Sequence, residues 1–121
     1  MKILVVEDEK VTRENYVETL RNRGHSVEAV VDGGEALAHI NGHKYDALVV
    51  DVMTPRMSGL EFLVEAHKRG ETAPAVVVTG YAKEHCYGID GIAAVLEKPV
   101  TGERLVDCVE HLLEVRHEQG H

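Results

Sequence analysis

Five short apolar segments, separated by helix-like segments, constrain the fold of this 121-residue chain most strongly. They lie at residues 3–6, 27–31, 47–50, 75–78 and 93–96. Short, largely apolar runs of this length are typical of strands that are buried on both faces of a sheet. Their alternation with helices predicts an α/β fold: a doubly wound, five-stranded parallel sheet with helices on both faces.

The segments between and after these strands have helical patterns, at residues 11–23, 32–40, 58–70 and 101–115. Asp32 is the expected N-cap of the second helix. Ser58 and Glu61 have capping-box spacing, which predicts where the third helix begins. Residues 81–91 leave room for about two helical turns. The polar tail at residues 116–121 is expected to fray.

Composition and charge narrow the class of protein. The length predicts a single domain over residues 1–121. There are 13 Lys and Arg against 21 Asp and Glu, and a formal net charge of -8 disfavours direct nucleic acid binding. The 2 cysteines are too few for a disulfide framework or a Cys-rich zinc site. The N-terminus resembles neither a signal peptide nor a membrane span, so a cytoplasmic protein without membrane attachment is expected.

Polar side chains follow four of the predicted strands, at the point where each strand ends. Glu7 and Asp8 follow the first strand, Asp51 the third, Thr79 the fourth and Lys98 the fifth. The carboxyl ends of parallel strands share one edge of a sheet, so these side chains are expected to converge. Clustered carboxylates repel one another unless protons or a cation intervene, and hard oxygen ligands suit Mg²⁺. The pattern predicts Mg²⁺-assisted phosphoryl transfer onto an aspartate.

Four motifs in this order resemble a two-component response-regulator receiver domain, of the kind found in chemotaxis regulators. They are Glu7-Asp8-Glu9, Asp51-Val52-Met53-Thr54-Pro55-Arg56-Met57-Ser58-Gly59, Thr79-Gly80 and Lys98-Pro99. The resemblance covers the whole chain and implies a flavodoxin-like fold with strand order 2-1-3-4-5. It also implies a signalling domain rather than an enzyme acting on a separate substrate.

The resemblance implies a metal site and a phosphoacceptor. Asp51 would take a phosphoryl group from a sensor histidine kinase or a histidine phosphotransfer protein. Asp8 and Asp51 would bind Mg²⁺ through carboxylates and Met53 through its backbone carbonyl, while Glu7 would hold a metal-bound water. Mn²⁺ would be able to substitute for Mg²⁺.

The resemblance also implies a switch. Lys98 would pair with the phosphoryl group, Thr79 would turn its hydroxyl towards it, and the Lys98-Pro99 bond would be cis. Phosphorylation would then change the surface that the fourth helix, fifth strand and fifth helix form in such domains. That surface would regulate an unknown downstream partner or an attached output domain, with the chain as a monomer or weak dimer.

One position departs from the family pattern. Three residues before the Lys, such domains usually carry a Tyr or Phe that moves inward, and here the residue is Val95. A valine has no ring to move and a stiff χ1. Tyr81, two residues after Thr79, is a candidate to replace the moving aromatic residue. It is equally well interpreted as a static lid over the site.

Three other functions are weaker matches to the sequence. A phosphatase of the haloacid-dehalogenase type needs a second Asp two residues after the nucleophile, where this chain has Met53. A flavodoxin-like cofactor binder needs a phosphate loop after the first strand, where acidic Glu7-Asp8-Glu9 would repel a phosphate. A degenerate receiver that binds a partner without phosphorylation remains the alternative. Val95 favours it, and the complete set of acidic residues with Thr79 and Lys98 opposes it.

Overall fold

The computed structural model describes residues 1–80, 86 and 88–119, and it places five parallel strands in one sheet. The strands are β1 (Lys2–Val6), β2 (Ser26–Val30), β3 (Ala47–Asp51), β4 (Ala75–Thr79) and β5 (Ile92–Glu97). Their order is β2-β1-β3-β4-β5, and every neighbouring pair is parallel. The predicted flavodoxin-like order is therefore confirmed.

Helices cover both faces of this sheet. In the described part of the chain they are α1 (Lys10–Asn22), α2 (Gly33–Ile40), α3 (Gly59–Lys68) and α4 (Gly102–Gln119). Alternate residues of each strand face opposite sides, so the sheet divides the interior into two apolar clusters. Phe62 of α3 packs in the cluster on one side, and Leu20 of α1 and Leu105 of α4 pack in the cluster on the other. The predicted doubly wound architecture is confirmed.

The strand register brings the ends of β1, β3, β4 and β5 level with one another. Val6 pairs with Val50, so the residues that follow them, Glu7 and Asp51, are neighbours across the sheet. The same register pairs Asp51 with Val78 and Thr79 with Glu97. Thr79 and Lys98 therefore lie at the same edge as the two acids, as the strand-end pattern predicts.

Helix α3 begins directly against the end of β3, because a glycine allows the two to touch. A Cβ atom on Gly59 would overlap the backbone oxygen of Asp51 and would lie 2.6 Å from Val50 Cγ1, which no side chain can tolerate. Gly59 also donates its N–H to the carbonyl of Val52 at 3.1 Å. This close approach fixes the loop after Asp51.

Side-chain caps start the helices where the sequence predicts them. Ser58 Oγ accepts the N–H of Glu61 at 3.2 Å, and Thr101 Oγ1 accepts the N–H of Arg104 at 3.1 Å. The N-cap of α1 is Glu9, whose carboxylate accepts the N–H of Thr12 at 2.6 Å. This cap was not predicted, because Glu is an uncommon N-cap.

The C-terminal helix is longer than the sequence pattern indicates. It continues to Gln119, so residues 116–119, which the sequence pattern places in a tail beyond the helix, are helical. No glycine or proline occurs between the last apolar stripe and Gly120, so nothing in the sequence breaks the helix earlier. Most of the short helical segment predicted between residues 81 and 91 lies outside the described residues. Among the described helices, none has both the length and the apolar character needed to cross a bilayer.

Candidate functional site

Three carboxylates converge at the carboxyl edge of the sheet. Each of Glu7, Asp8 and Asp51 places an oxygen within 4.8 Å of an oxygen of the other two. Glu7 is 1% exposed and Asp51 is 6% exposed, whereas Asp8 is exposed to solvent. The convergence predicted from the strand ends is therefore present, and two of its three members are buried.

One cation lies among these acids. Lys98 Nζ is 3.3 Å from Glu7 Oε1 and 3.3 Å from Asp51 Oδ2, so its ammonium group bridges the two buried carboxylates. The backbone brings Lys98 there, because its N–H donates to the carbonyl of Thr79 at 2.7 Å. The Lys98-Pro99 peptide bond is cis, as the resemblance implies.

The two oxygens of Asp51 have different partners. Oδ1 accepts the backbone N–H of Met53 at 3.1 Å, and Oδ2 accepts from Lys98. Met53 is 56% exposed, whereas Asp51 is 6% exposed. These two hydrogen bonds therefore orient a largely buried Asp51 carboxylate.

Glu7 is the acid whose protonation the surroundings change most. Burial, a hydrogen bond to Asp51 and repulsion from Asp51 raise its pKa from the usual 4.5 to about 8, although Lys98 acts in the opposite direction. Its Oε2 atom is buried and, among the described residues, has no hydrogen-bond partner. A buried acceptor without a donor is costly unless a proton or a cation satisfies it.

This donor set fits a divalent cation with a preference for hard oxygen ligands. When all three acids are ionised, Lys98 offsets one of their three charges. The unpartnered oxygen of Glu7 and the carboxylates of Asp8 and Asp51 are ligands of the type that Mg²⁺ prefers. Such an ion would supply the positive charge that draws the acids together and would polarise a phosphoryl group bound beside them.

Two of the three residues predicted to take part in the switch, Thr79 and Val95, lie in the described part of the chain. Thr79 is fully buried at the end of β4, next to this cluster in the sheet. Val95 is half-buried and packs against the apolar cluster that contains Phe62. Tyr81 lies outside the described residues.

Two arginines beside the site were not predicted from the sequence. Arg13 Nη1 donates to the carbonyls of Glu7 and Asp8, each at 3.1 Å, and so braces the turn that carries both acids. Arg56 binds the carboxylate of Asp32. The sequence contained little signal for either contact, because an arginine on a helix or loop is usually solvated.

Comparison with known proteins identifies the family. The model of the response regulator receiver domain matches residues 3–110. The chain is 40% identical over 116 residues to the response regulator MprA of Mycobacterium avium (strain 104), a match that covers 93% of this chain and 51% of that protein. MprA of Mycobacterium leprae (strain TN) is 38% identical over the same length, with the same coverage of each chain. The chain thus spans about half the length of these relatives.

Solved structures agree with this result. A CheY-like receiver domain from Methanospirillum hungatei JF-1 superposes with a TM-score of 0.89 at 28% identity, covering 98% of this chain and 97% of that one. The response regulator TrrA from Thermotoga maritima, solved in complex with Mg²⁺ and BeF, gives a TM-score of 0.81 at 28% identity, covering 92% and 97%.

The chain belongs to the response regulator receiver domain family. It is a signalling domain of the two-component type, and its acidic cluster is consistent with phosphorylation-dependent signalling.

The raised pKa of Glu7 predicts a pH dependence of stability in the absence of metal. Folded Glu7 keeps its proton up to about pH 8, whereas the unfolded chain releases it near 4.5. The folded state therefore binds more protons between these values, so this group's contribution to the free energy of unfolding falls as pH rises. We expect urea unfolding in EDTA to show this fall between about pH 6 and about pH 8.

The matched variant is Glu7→Gln, which cannot titrate but leaves the histidines and all other acids in place. Its free energy of unfolding should change less over the same pH interval. Equal slopes for the wild type and the variant would contradict the assignment.

Proposed function

We propose that this domain is a phosphorylation switch in which Asp51 is the phosphoacceptor. A carboxylate oxygen of Asp51 would attack the phosphorus of a phosphohistidine on a sensor histidine kinase or a histidine phosphotransfer protein. The new O–P bond forms as the N–P bond breaks, and the imidazole nitrogen retains the electron pair of that bond. The observation that carries this proposal is the convergence of Glu7, Asp8 and Asp51 with Lys98 at one sheet edge.

The metal-binding residues in this proposal are Glu7, Asp8, Asp51 and the backbone carbonyl of Met53. The mutual proximity of the three acids and the unpartnered Glu7 oxygen support a Mg²⁺ site. Mn²⁺ has similar ligand preferences and would substitute. The amide of Met53 already donates to Asp51, which places the Met53 backbone beside the acceptor carboxylate.

Lys98 and Thr79 would respond to the phosphoryl group. The ammonium of Lys98 lies 3.3 Å from Asp51 Oδ2 and would pair with a phosphoryl oxygen on that side. The hydroxyl of Thr79 would reorient towards the phosphoryl group from the next strand. Lys98 and Thr79 lie at the ends of β5 and β4, so their movement would alter the surface that includes β5 and α4.

The signal would be read by another protein or by an attached output domain, contacted through that surface. Residues 1–121 would form one receiver domain that acts in the cytoplasm as a monomer or weak dimer. The net charge of -8 argues against direct binding to nucleic acid or to anionic membranes. The usual aromatic switch would be absent at Val95, and Tyr81 is the candidate replacement.

The alternative is a degenerate receiver that binds its partner without phosphorylation. Val95 is the feature that favours it. A degenerate domain has no need to keep two buried carboxylates with one lysine between them, an arrangement that costs desolvation free energy. We therefore favour the phosphorylation switch.

Incubation with acetyl phosphate and Mg²⁺ tests the proposal. Intact-protein mass spectrometry should show the gain of one phosphoryl group. The Asp51→Asn variant should show none, because an amide oxygen is a poor nucleophile towards phosphorus. EDTA should abolish the gain in the wild type.

The matched control is Asp107→Asn, which makes the same chemical change at an exposed position on α4. It should be phosphorylated like the wild type. Absence of a mass gain in the wild type would support the degenerate reading, and a gain that persists in Asp51→Asn would assign the acceptor elsewhere.

The side chain at position 53 predicts a long-lived aspartyl phosphate. Hydrolysis needs a water aligned behind the phosphorus, and Met53 beside Asp51 has no acid or amide to orient one. The residue two positions after Thr79, Tyr81, also has none. We expect the phosphoprotein to persist for minutes or longer, and Met53→Asn to shorten its lifetime at least about tenfold by adding a polar group near the water's path.

The matched control is Val64→Asn, which makes the same kind of change at an exposed apolar residue of α3. It should leave the lifetime unchanged when decay is followed by intact mass after the phosphodonor is removed. Decay of the wild-type phosphoprotein within seconds would disprove the prediction.

A further inference from the structure

The loop between β3 and α3, residues 52–58, rests on the start of α2. Gly33 donates its N–H to the carbonyl of Met57 at 3.0 Å. A Cβ atom on Gly33 would lie 2.8 Å from Met57 Cγ and 2.9 Å from the Met57 carbonyl oxygen, so the two segments are in direct contact. Thr54 Oγ1 also donates to that carbonyl at 2.9 Å. The Met57 carbonyl thus accepts one hydrogen bond from within the loop and one from the start of α2.

A buried carboxylate at the start of α2 holds the same loop from a second side. Asp32 is 2% exposed. Its Oδ1 caps α2 by accepting the N–H of Glu35 at 2.9 Å, and its Oδ2 accepts from Arg56 Nε at 2.7 Å and also from Arg56 Nη2. One oxygen of Asp32 therefore caps α2, and the other binds the loop through Arg56.

The backbone conformation at Arg56 is unusual for an arginine, which indicates that the contacts of its side chain matter. Arg56 has φ 62, in the left-handed region, and it is the only non-glycine residue of the described chain with a positive φ. Glycine and asparagine adopt this conformation more readily than arginine does. An arginine at such a position is explained better by what its guanidinium binds than by backbone preference.

We propose that the Asp32–Arg56 ion pair is a positioning pair for the metal site. Arg56 is three residues after Met53, within one short loop, and Met53 N–H already holds Asp51 Oδ1 at 3.1 Å. Anchoring Arg56 to a buried acid on α2 restricts how far the backbone at Met53 can move from Asp51. Among the described residues, neither Asp32 nor Arg56 has a hydrogen bond or ion pair with a proposed metal ligand. This inference rests on the proposed Mg²⁺ site and adds two residues that would hold the metal-binding loop in place without binding the metal.

Two conservative variants break the pair and keep the local structure. Asp32→Asn retains a good N-cap for α2 and loses the charge that Arg56 binds. Arg56→Asn retains a residue that tolerates positive φ and loses the guanidinium. If both variants lose Mg²⁺ affinity, the loss is therefore due to the broken ion pair. It is not due to a lost helix cap or to a changed backbone conformation.

The test is Mg²⁺ titration of the purified chain by isothermal calorimetry, with urea unfolding in EDTA to monitor the metal-free fold. We expect each variant to raise the Mg²⁺ dissociation constant by about tenfold, the lower end of the roughly 10- to 100-fold losses that follow when outer contacts of metal sites are removed. The double variant should bind no more weakly than either single variant, because both remove the same interaction. In phosphorylation by acetyl phosphate, the Mg²⁺ concentration for half-maximal rate should rise while the rate at saturating Mg²⁺ stays the same.

The matched controls are Glu65→Gln and Arg69→Asn, which break an exposed ion pair at the far end of α3. They change the net charge as the test variants do, and they should leave the Mg²⁺ dissociation constant unchanged.

Unchanged Mg²⁺ affinity in both test variants would overturn the proposal and leave the pair a stability contact. Additive losses in the double variant would overturn it as well, because the two residues would then act independently. A wild-type chain that binds no Mg²⁺ would instead reject the proposed metal site itself, so the two failures are distinguishable.

Discussion

Repulsion between buried carboxylates is the constraint on which the rest of this site depends. Glu7 and Asp51 lie at the ends of two adjacent strands with almost no solvent exposure, and one lysine bridges them. Burial strengthens each charge–charge interaction and removes the water that would otherwise stabilise the ions. In the metal-free chain, the loss of hydration on burial, reinforced by the hydrogen bond to Asp51 and by repulsion from it, raises the pKa of Glu7 to about 8. A divalent cation would satisfy the same acids without a proton, and a phosphoryl group would then add negative charge beside them.

The parallel sheet makes such a cluster possible at small structural cost. Its register aligns the ends of four strands, so residues far apart in sequence meet without long loops. Gly59 lets α3 start against the carbonyl of Asp51, and Gly33 lets the loop after Asp51 rest on α2. Close backbone contacts on both sides of this loop leave the Asp51 carboxylate little freedom. The fold therefore supplies a rigid frame around groups that repel one another.

The sequence predicted the features of this site that depend on strand ends. The short apolar runs located β1, β3, β4 and β5 closely enough to place Glu7, Asp51, Thr79 and Lys98 at one edge, and capping chemistry located Ser58 and Asp32. The contacts of Arg13 and Arg56 were beyond prediction. They depend on how the turn after β1 and the loop after β3 fold in three dimensions, and nothing in the sequence indicates which group either arginine contacts. The end of α4 was also missed, because a polar sequence that lacks breakers does not reveal whether a helix continues through it.

The proposed site requires that a divalent cation relieve the repulsion among the three acids. The direct measurement is the free energy of unfolding in urea as a function of Mg²⁺ concentration, beside NaCl at matched ionic strength. If Mg²⁺ binds specifically to the folded chain, the free energy of unfolding should rise by about 2.7 kcal/mol when the Mg²⁺ concentration is a hundred times its dissociation constant. NaCl should change the free energy of unfolding little. Equal stabilisation by both salts, or none by Mg²⁺, would contradict specific Mg²⁺ binding by these acids.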